Sequence, residues 1–254
     1  MPQSHHALVE TQFGPRADAY VTSAVHAAGE DLDLLDAIAA RAAPVHALDL
    51  GTGGGHVAYR LARHAGRVTA CDLSPRMLAA VAATAREMEL TNIETQAAQA
   101  EQLPFSDAAF DFLACRFSAH HWRGFDAGLR EARRVMASGS TAVFIDTISP
   151  GPAAFDTHLQ AVELLRDTSH VRNYTAPEWL AALARAGFTV RSTRIWRLRM
   201  HFPTWLARMR TPELNAAAIR TLQQAASADI ASHFNIEPDG SFTLDTLLTE
   251  SVAA

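Results

Sequence analysis

The chain has 254 residues and a mass of 27.5 kDa, with 48% hydrophobic and 19% charged residues. That suits one large domain with an ample core and excludes a disordered chain. Twenty-two basic against 27 acidic residues give a net charge of −5, the wrong sign for a protein that binds nucleic acid by neutralising phosphates.

Every basic residue is Arg, and the absence of Lys excludes Schiff-base and pyridoxal-phosphate chemistry and a P-loop lysine. Cys71 and Cys115 are the two cysteines, too few for a disulfide framework or a cysteine zinc site. No uncharged apolar stretch approaches the ~20 residues of a membrane span. Met1-Pro2-Gln3-Ser4-His5-His6 lacks the basic-then-apolar layout of a signal peptide. A cytoplasmic protein is expected, with His5 and His6 at a mobile terminus.

In chain order, helical spacing covers Ala19 to Ala28 and Leu32 to Ala42, and Val45 to Leu50 is a buried strand ending in glycines. Val57 to Ala65 is helical and Arg67 to Asp72 a second strand. Ser74-Pro75 supplies an N-cap and a first-turn proline for a helix reaching about Met88. Asn92 to Gln96 and Phe110 to Cys115 are the third and fourth strands. Arg123 to Met136 is an amphipathic helix closed by Ser138-Gly139, before a fifth strand from Thr141 to Thr147. Beyond Pro150-Gly151-Pro152 come a helix around His158 to Arg166, a loop, and a helix from Pro177 to Gly187. A strand-like run follows from Phe188 to Phe202, then a helical stretch from Trp205 to Ala231 broken at Thr211-Pro212, and a last strand from Phe242 to Leu248.

Alternation of this kind predicts an α/β fold, Rossmann-like and doubly wound, with a seven-stranded, mostly parallel sheet. The late strands add a terminal antiparallel strand in a hairpin-like extension. One domain is expected, with a helical cap over 1–43, a cofactor-binding core over 44–149, and a lid with terminal strands over 150–254. Arg191, Arg194, Arg197 and Arg199 form a basic run, and the alternation Trp196, Leu198, Met200 reads as a strand with a solvated face.

The strongest motif is Asp49-Leu50-Gly51-Thr52-Gly53-Gly54-Gly55-His56, between a strand and a helix. Glycines permit a sharp turn and close approach of backbone to ligand, and the helix start offers unpaired N–H groups. Twenty-one residues after Gly51, Asp72 ends the second strand, where a carboxylate can accept from ribose hydroxyls. His56 stands where the dinucleotide fingerprint needs a third small residue. The Asp-x-Gly-x-Gly-x-Gly spacing instead resembles the first motif of class I S-adenosylmethionine-dependent methyltransferases.

The resemblance extends through Cys71-Asp72-Leu73-Ser74-Pro75, Gln99-Ala100-Glu101-Gln102-Leu103-Pro104-Phe105, Phe110 to Trp122, and Arg130 to Gly139. It points to the small-molecule branch of methyltransferase type 11, near quinone-biosynthesis C-methyltransferases and YcgJ-like proteins. It implies that Tyr20, Asp49, Gly51, Gly53, Gly55, Asp72, Leu73, Gln99, Ala100, Cys115 and Arg116 hold S-adenosyl-L-methionine, released as S-adenosyl-L-homocysteine. Asp72 would bind the ribose, Leu73 lie against adenine, and Gln99 accept from its amino group, though many relatives carry Asp there.

His120 and His121 are the candidate catalytic residues because imidazole titrates near neutrality. Adjacent helical residues point ~100° apart, so one of the two is expected to face the ligand. His170, Arg172 and Tyr174 are the candidate substrate-binding residues, or else fasten their loop to the sheet. The expected partner is a small-molecule acceptor, with no nucleic acid and no membrane span, in a monomer or homodimer. Neither the acceptor nor its methylated atom is read from the motifs. An NAD-dependent oxidoreductase is the alternative, disfavoured by His56 and by the missing Tyr-x-x-x-Lys; a non-catalytic cofactor binder is another.

Overall fold

Successive residues of a strand face opposite sides of a sheet, and the central strands are apolar on both sides. The computed structural model describes residues 4–16 and 29–254. The sheet joins β1 (His46–Leu50), β2 (Arg67–Asp72), β3 (Ile93–Ala97), β4 (Phe110–Arg116), β5 (Met136–Ile148), β6 (Phe188–Met200) and β7 (Phe242–Ala253). Their order is β3-β2-β1-β4-β5-β7-β6. β1 to β5 pair in parallel, and β7 alone is reversed, antiparallel to both β5 and β6. This is the doubly wound sheet that the sequence predicts.

One face presents Leu48, Leu50, Leu113, Cys115 and Phe144 to α5 (Phe125–Arg134) and α7 (Ala176–Ala186). The other presents Ala47, Phe112, Ala114, Val143 and Ile145 to α2 (Glu30–Ala42), α3 (His56–Leu61) and α4 (Pro75–Glu87). The chain winds outward in both directions from β1 and β4, so a crevice opens at their carboxyl ends. Above it lies α1 (His5–Phe13), capped by Ser4, whose hydroxyl accepts from Ala7 N.

A third apolar cluster joins Leu159 and Val162 of α6 (Ala153–Arg166), Trp205 of α8 (Phe202–Met209) and Ile219 of α9 (Glu213–Gln224) to Met200, Phe242 and Leu244. Ile148 at the end of β5 pairs with Asp245, so Phe242 to Leu244 run on past the carboxyl edge of β5. That overhang carries the C-terminal helices over the crevice.

The structure departs from the sequence reading in three places. Val135 already caps α5, so Ser138-Gly139 lies inside β5, at an irregularity in register with Gly139 at φ +83°. The stretch after Trp205 breaks twice, the second time where Ser227 caps α10 (Ala228–His233) by accepting from Ile230 N. His5 and His6 belong to the helix α1 rather than to a free end, and His5 is tied to the His121 carbonyl. The helix expected over Ala19 to Ala28 lies outside the described residues.

Candidate functional site

The turn after β1 is held by Gly51 N and Thr52 N, both donating to Cys71 O at 2.8 Å. Gly51 has φ +75°, and a Cβ there would stand 2.0 Å from Ser118 Oγ. Gly53 has φ +49°, with nothing within 4 Å of where its Cβ would be. The space beyond it is a cavity of about 360 Å³. Gly51, Gly53, Asp72, Leu73, Gln99, Ala100 and Arg116 all line it.

Asp49 also borders the cavity. Its Oδ2 accepts from Thr52 Oγ1 at 2.6 Å and Ala58 N at 3.0 Å, whereas buried Oδ1 has no partner. Burial pushes the Asp49 carboxyl up to about 7, against the pull of these two donors. Asp72 accepts from Gly53 N on Oδ2 and from Ser74 N on Oδ1, each at 2.9 Å. Each oxygen retains acceptor capacity for a ligand hydroxyl. Burial raises the Asp72 carboxyl too, opposed by the same two amides.

Two predicted cofactor residues do not reach the cavity. Gly55 (φ +82°) is enclosed at the start of α3, where a Cβ would collide with the Tyr59 ring at 2.5 Å. Its glycine serves helix packing. Cys115 points into the core with Leu48 and Phe144, because alternation along β4 turns it away from the crevice. Arg116, one residue on, forms a buried ion pair with Asp31 of α2. Tyr20 lies outside the described residues.

Past β4 the chain makes a single 3₁₀ turn, Ala119–His121. Both histidines line the cavity, with ring centroids 4.2 Å apart, contrary to the expectation that one would turn away. Separate partners hold each ring in place. His120 Nδ1 lies 2.6 Å from Asp146 Oδ1 on β5, and His121 Nδ1 lies 3.1 Å from the Ser169 carbonyl. Burial opposes protonation of His120, but the Asp146 carboxylate, together with those of Glu163 and Asp167, outweighs it and holds its pKa above the usual 6.5. Burial and the neighbouring His120 drive His121 down to about 4. The roof is α1, whose His5, His6, Val9 and Phe13 reach the cavity. His5 Nε2 is 2.9 Å from the His121 carbonyl, and the Phe13 ring meets His121 edge-on at 5.0 Å.

The loop after α6 corrects the expected substrate residues, none of which lines the cavity. His170 is buried, with Nε2 2.8 Å from Gln160 Oε1. Arg172 pairs with Asp156 at 3.0 Å and Glu178 at 3.7 Å. Tyr174 stacks on Phe125 with centroids 3.9 Å apart. These three fasten the loop. Val171 N and Arg172 N donate to the His120 carbonyl at 2.9 and 3.2 Å, locking the loop to the histidine turn.

The cavity is instead met by Asp167 and Asn173 of that loop, by Glu163 and Arg166 of α6, and by Trp196, Leu198 and Met200 of β6. Trp205 and Arg208 complete this side. The sequence reading missed Asp146, Glu163, Arg166, Asn173 and Trp205 as site residues. Asp146 carried a usable signal, an acid near the carboxyl end of a predicted parallel strand, where such folds gather ligand groups. The others come from separate elements, and no spacing relates them.

Residues 48–144 match the methyltransferase domain family. The chain is 42% identical over 201 residues to the uncharacterized protein YafE of Escherichia coli K12, covering 79% of this chain and 97% of that protein. It is 29% identical over 248 residues to the uncharacterized methyltransferase YcgJ of Bacillus subtilis 168, covering 96% and 98%. The crystal structure of YcgJ matches with a TM-score of 0.84 at 28% identity, over 87% of this chain and 97% of that one. The demethylmenaquinone methyltransferase of Thermus thermophilus is 32% identical over 178 residues, 61% of this chain and 79% of that protein.

Proposed function

The chain belongs to the class I S-adenosylmethionine-dependent methyltransferases, and from that premise we propose that it methylates a small-molecule acceptor inside this cavity, with His120 as general base. When bound, S-adenosylmethionine supplies an electrophilic methyl group on a sulfonium, open to in-line displacement. The residues present fit this cofactor. Asp49 lines the cavity and its buried Oδ1 has no partner, and this single observation carries the reading. A buried acceptor without a donor is costly, and the ammonium of an amino-acid tail would satisfy it. Asp72 would take the ribose hydroxyls, Leu73 the adenine face, and Gln99 and Ala100 the adenine edge.

The protein's own work is to position the acceptor, exclude water and remove a proton. His120 donates from Nδ1 to Asp146, which fixes its tautomer and leaves Nε2 to receive the acceptor's proton. Asp146 is a positioning residue, itself held by Thr147 N at 2.8 Å. The roof formed by α1 favours an acceptor that enters whole over a macromolecular chain. Family membership sets the oxidoreductase alternative aside.

S-adenosylhomocysteine at millimolar concentration should raise the melting temperature, and NAD should not, because a ligand stabilises the fold that binds it. No shift with S-adenosylhomocysteine would overturn the cofactor assignment. Homocysteine release, measured in a coupled assay across a metabolite panel, should then identify an acceptor; silence across the panel would favour a non-catalytic binder. Among the described residues no helix is long and apolar enough to cross a membrane, and we assign the protein to the cytoplasm.

A further inference from the structure

The half of the cavity away from the glycine turn holds a second orphaned group. Asn173 is only 2% exposed, its Nδ2 has no hydrogen-bond partner, and it lines the cavity. Its backbone is pinned by Gln160, which accepts from Asn173 N at 3.1 Å and donates to Asn173 O at 2.8 Å. Its loop is clamped to the His120 carbonyl two and one residues earlier. The loop that carries this buried amide donor is therefore fixed to the turn that carries His120. An unpartnered buried N–H costs stability, so its retention beside a base points to a ligand oxygen.

The charge and shape of this chamber narrow that ligand. Arg166, a cation on the same side, is already engaged: its guanidinium lies over Trp205 at 4.7 Å, and Nη1 contacts Glu163 at 3.5 Å. Trp196, Leu198 and Met200 supply an apolar wall. A neutral donor beside a base suits an oxygen that arrives uncharged and gains charge during the reaction. Proton abstraction next to a carbonyl has this requirement.

We propose that this chamber binds an enolisable carbonyl compound with a flat apolar body, typified by a 1,3-dicarbonyl, and that Asn173 Nδ2 holds its developing enolate oxygen. His120 Nε2 takes the acidic proton, and the electron pair left behind spreads over the oxygens and the central carbon. Asn173 donates to the oxygen and so occupies it, leaving the carbon as the nucleophile for methylation. The inference rests on the methyltransferase reading for its last step, but proton removal needs no methyl donor and is tested without one.

The probe is benzoylacetone, 1-phenylbutane-1,3-dione, whose enolate absorbs at longer wavelength than its neutral forms. One pH unit below its own pKa in buffer, about a tenth is enolate. Excess wild-type protein should convert most of it, with a red-shifted band that saturates. Asn173→Leu should abolish the band while leaving the melting temperature equal or higher, since it removes an unpaired buried amide. Asn173→Asp, of the same shape, should also abolish it by repelling the anion. No band with wild-type protein, or an undiminished band with Asn173→Leu, would overturn the proposal. A failed enolate measurement with an intact S-adenosylhomocysteine shift would remove this inference alone; the reverse result would remove the cofactor assignment.

Discussion

The half of the cavity at the glycine turn, proposed to hold the methyl donor and here the donor half, is assembled from short stretches at the ends of neighbouring strands, Asp49 to Gly54, Asp72-Leu73 and Gln99-Ala100. The acceptor half gathers single side chains from the histidine turn, α6, its loop, β6 and α8, between residues 120 and 208. In the first half, backbone conformation does most of the shaping: a left-handed turn at Gly53 opens space that a side chain would fill. In the second, side chains held by distant partners do it, as Asp146 holds His120 and Gln160 holds Asn173. Each half contains one buried polar atom without a hydrogen-bond partner, Asp49 Oδ1 and Asn173 Nδ2. The two atoms differ in charge, and that difference suits an ammonium in one half and a nascent oxyanion in the other.

This division makes the halves separable by mutation. A large effect is expected from Gly53→Val. A β-branched residue is strained at φ +49° and would project into the cavity, so S-adenosylhomocysteine affinity should fall by about 100-fold or more, roughly 2.7 kcal/mol. Calorimetric titration checks this, with an unchanged circular dichroism spectrum as the control for folding. On the acceptor side, His120→Asn should lower kcat/KM by roughly 10²–10⁴-fold, the usual worth of a general base, with S-adenosylhomocysteine affinity unchanged. A parallel loss of cofactor affinity would show that the halves are not independent.

Asp72→Ala comes next. It deletes an acceptor for ribose hydroxyls, worth about 1.5–3 kcal/mol for bonds to a charged group, and also releases the amides of Gly53 and Ser74. An unchanged dissociation constant would take Asp72 out of the site.

Proton dependence sharpens the contrast further. His120 must be neutral to act as a base, and Asp146 holds its pKa above 6.5, so activity should rise with pH with a midpoint above that value. Asp146→Asn removes the nearest of the carboxylates that raise His120 and leaves burial, so the midpoint should move down as the rate falls. A midpoint that stays put would mean Asp146 does not tune the base.

Asp49 behaves in the opposite way. Its pKa of about 7 should drop when an ammonium binds, so ligand binding near pH 6–7 releases a proton. S-adenosylhomocysteine affinity should then weaken as pH falls below 7, by at most about tenfold per unit. Titrations in buffers of different ionisation enthalpy count the proton. The smallest effect is expected for Arg172→Ala, whose partly exposed pairs fasten the loop for about 1 kcal/mol or less and which should leave cofactor affinity alone.

The unequal legibility of the two halves follows from the same contrast. Gly51, Gly53, Asp72, Leu73 and Gln99 are legible because their roles depend on local spacing around a strand end. Gly55 and Cys115 belong to the same motifs, yet strand and helix geometry point one at Tyr59 and the other into the core. His170, Arg172 and Tyr174 have the right chemistry for a substrate site. Gln160, Asp156 and Phe125 engage them instead, and which partner wins is a three-dimensional competition.

By itself the sequence determined the alternation of strands and helices, the mostly parallel sheet with its antiparallel terminal strand, and the glycine-rich turn after β1. Apolar alternation and glycine-rich turns act over a few residues, so their consequences can be read in one dimension. Only the tertiary structure decided that His120 faces Asp146, that both histidines share one cavity, and that Asn173 Nδ2 is left without a hydrogen-bond partner. Each of those outcomes depends on which buried polar groups satisfy one another across distant parts of the chain, and burial makes any group left over both costly and informative.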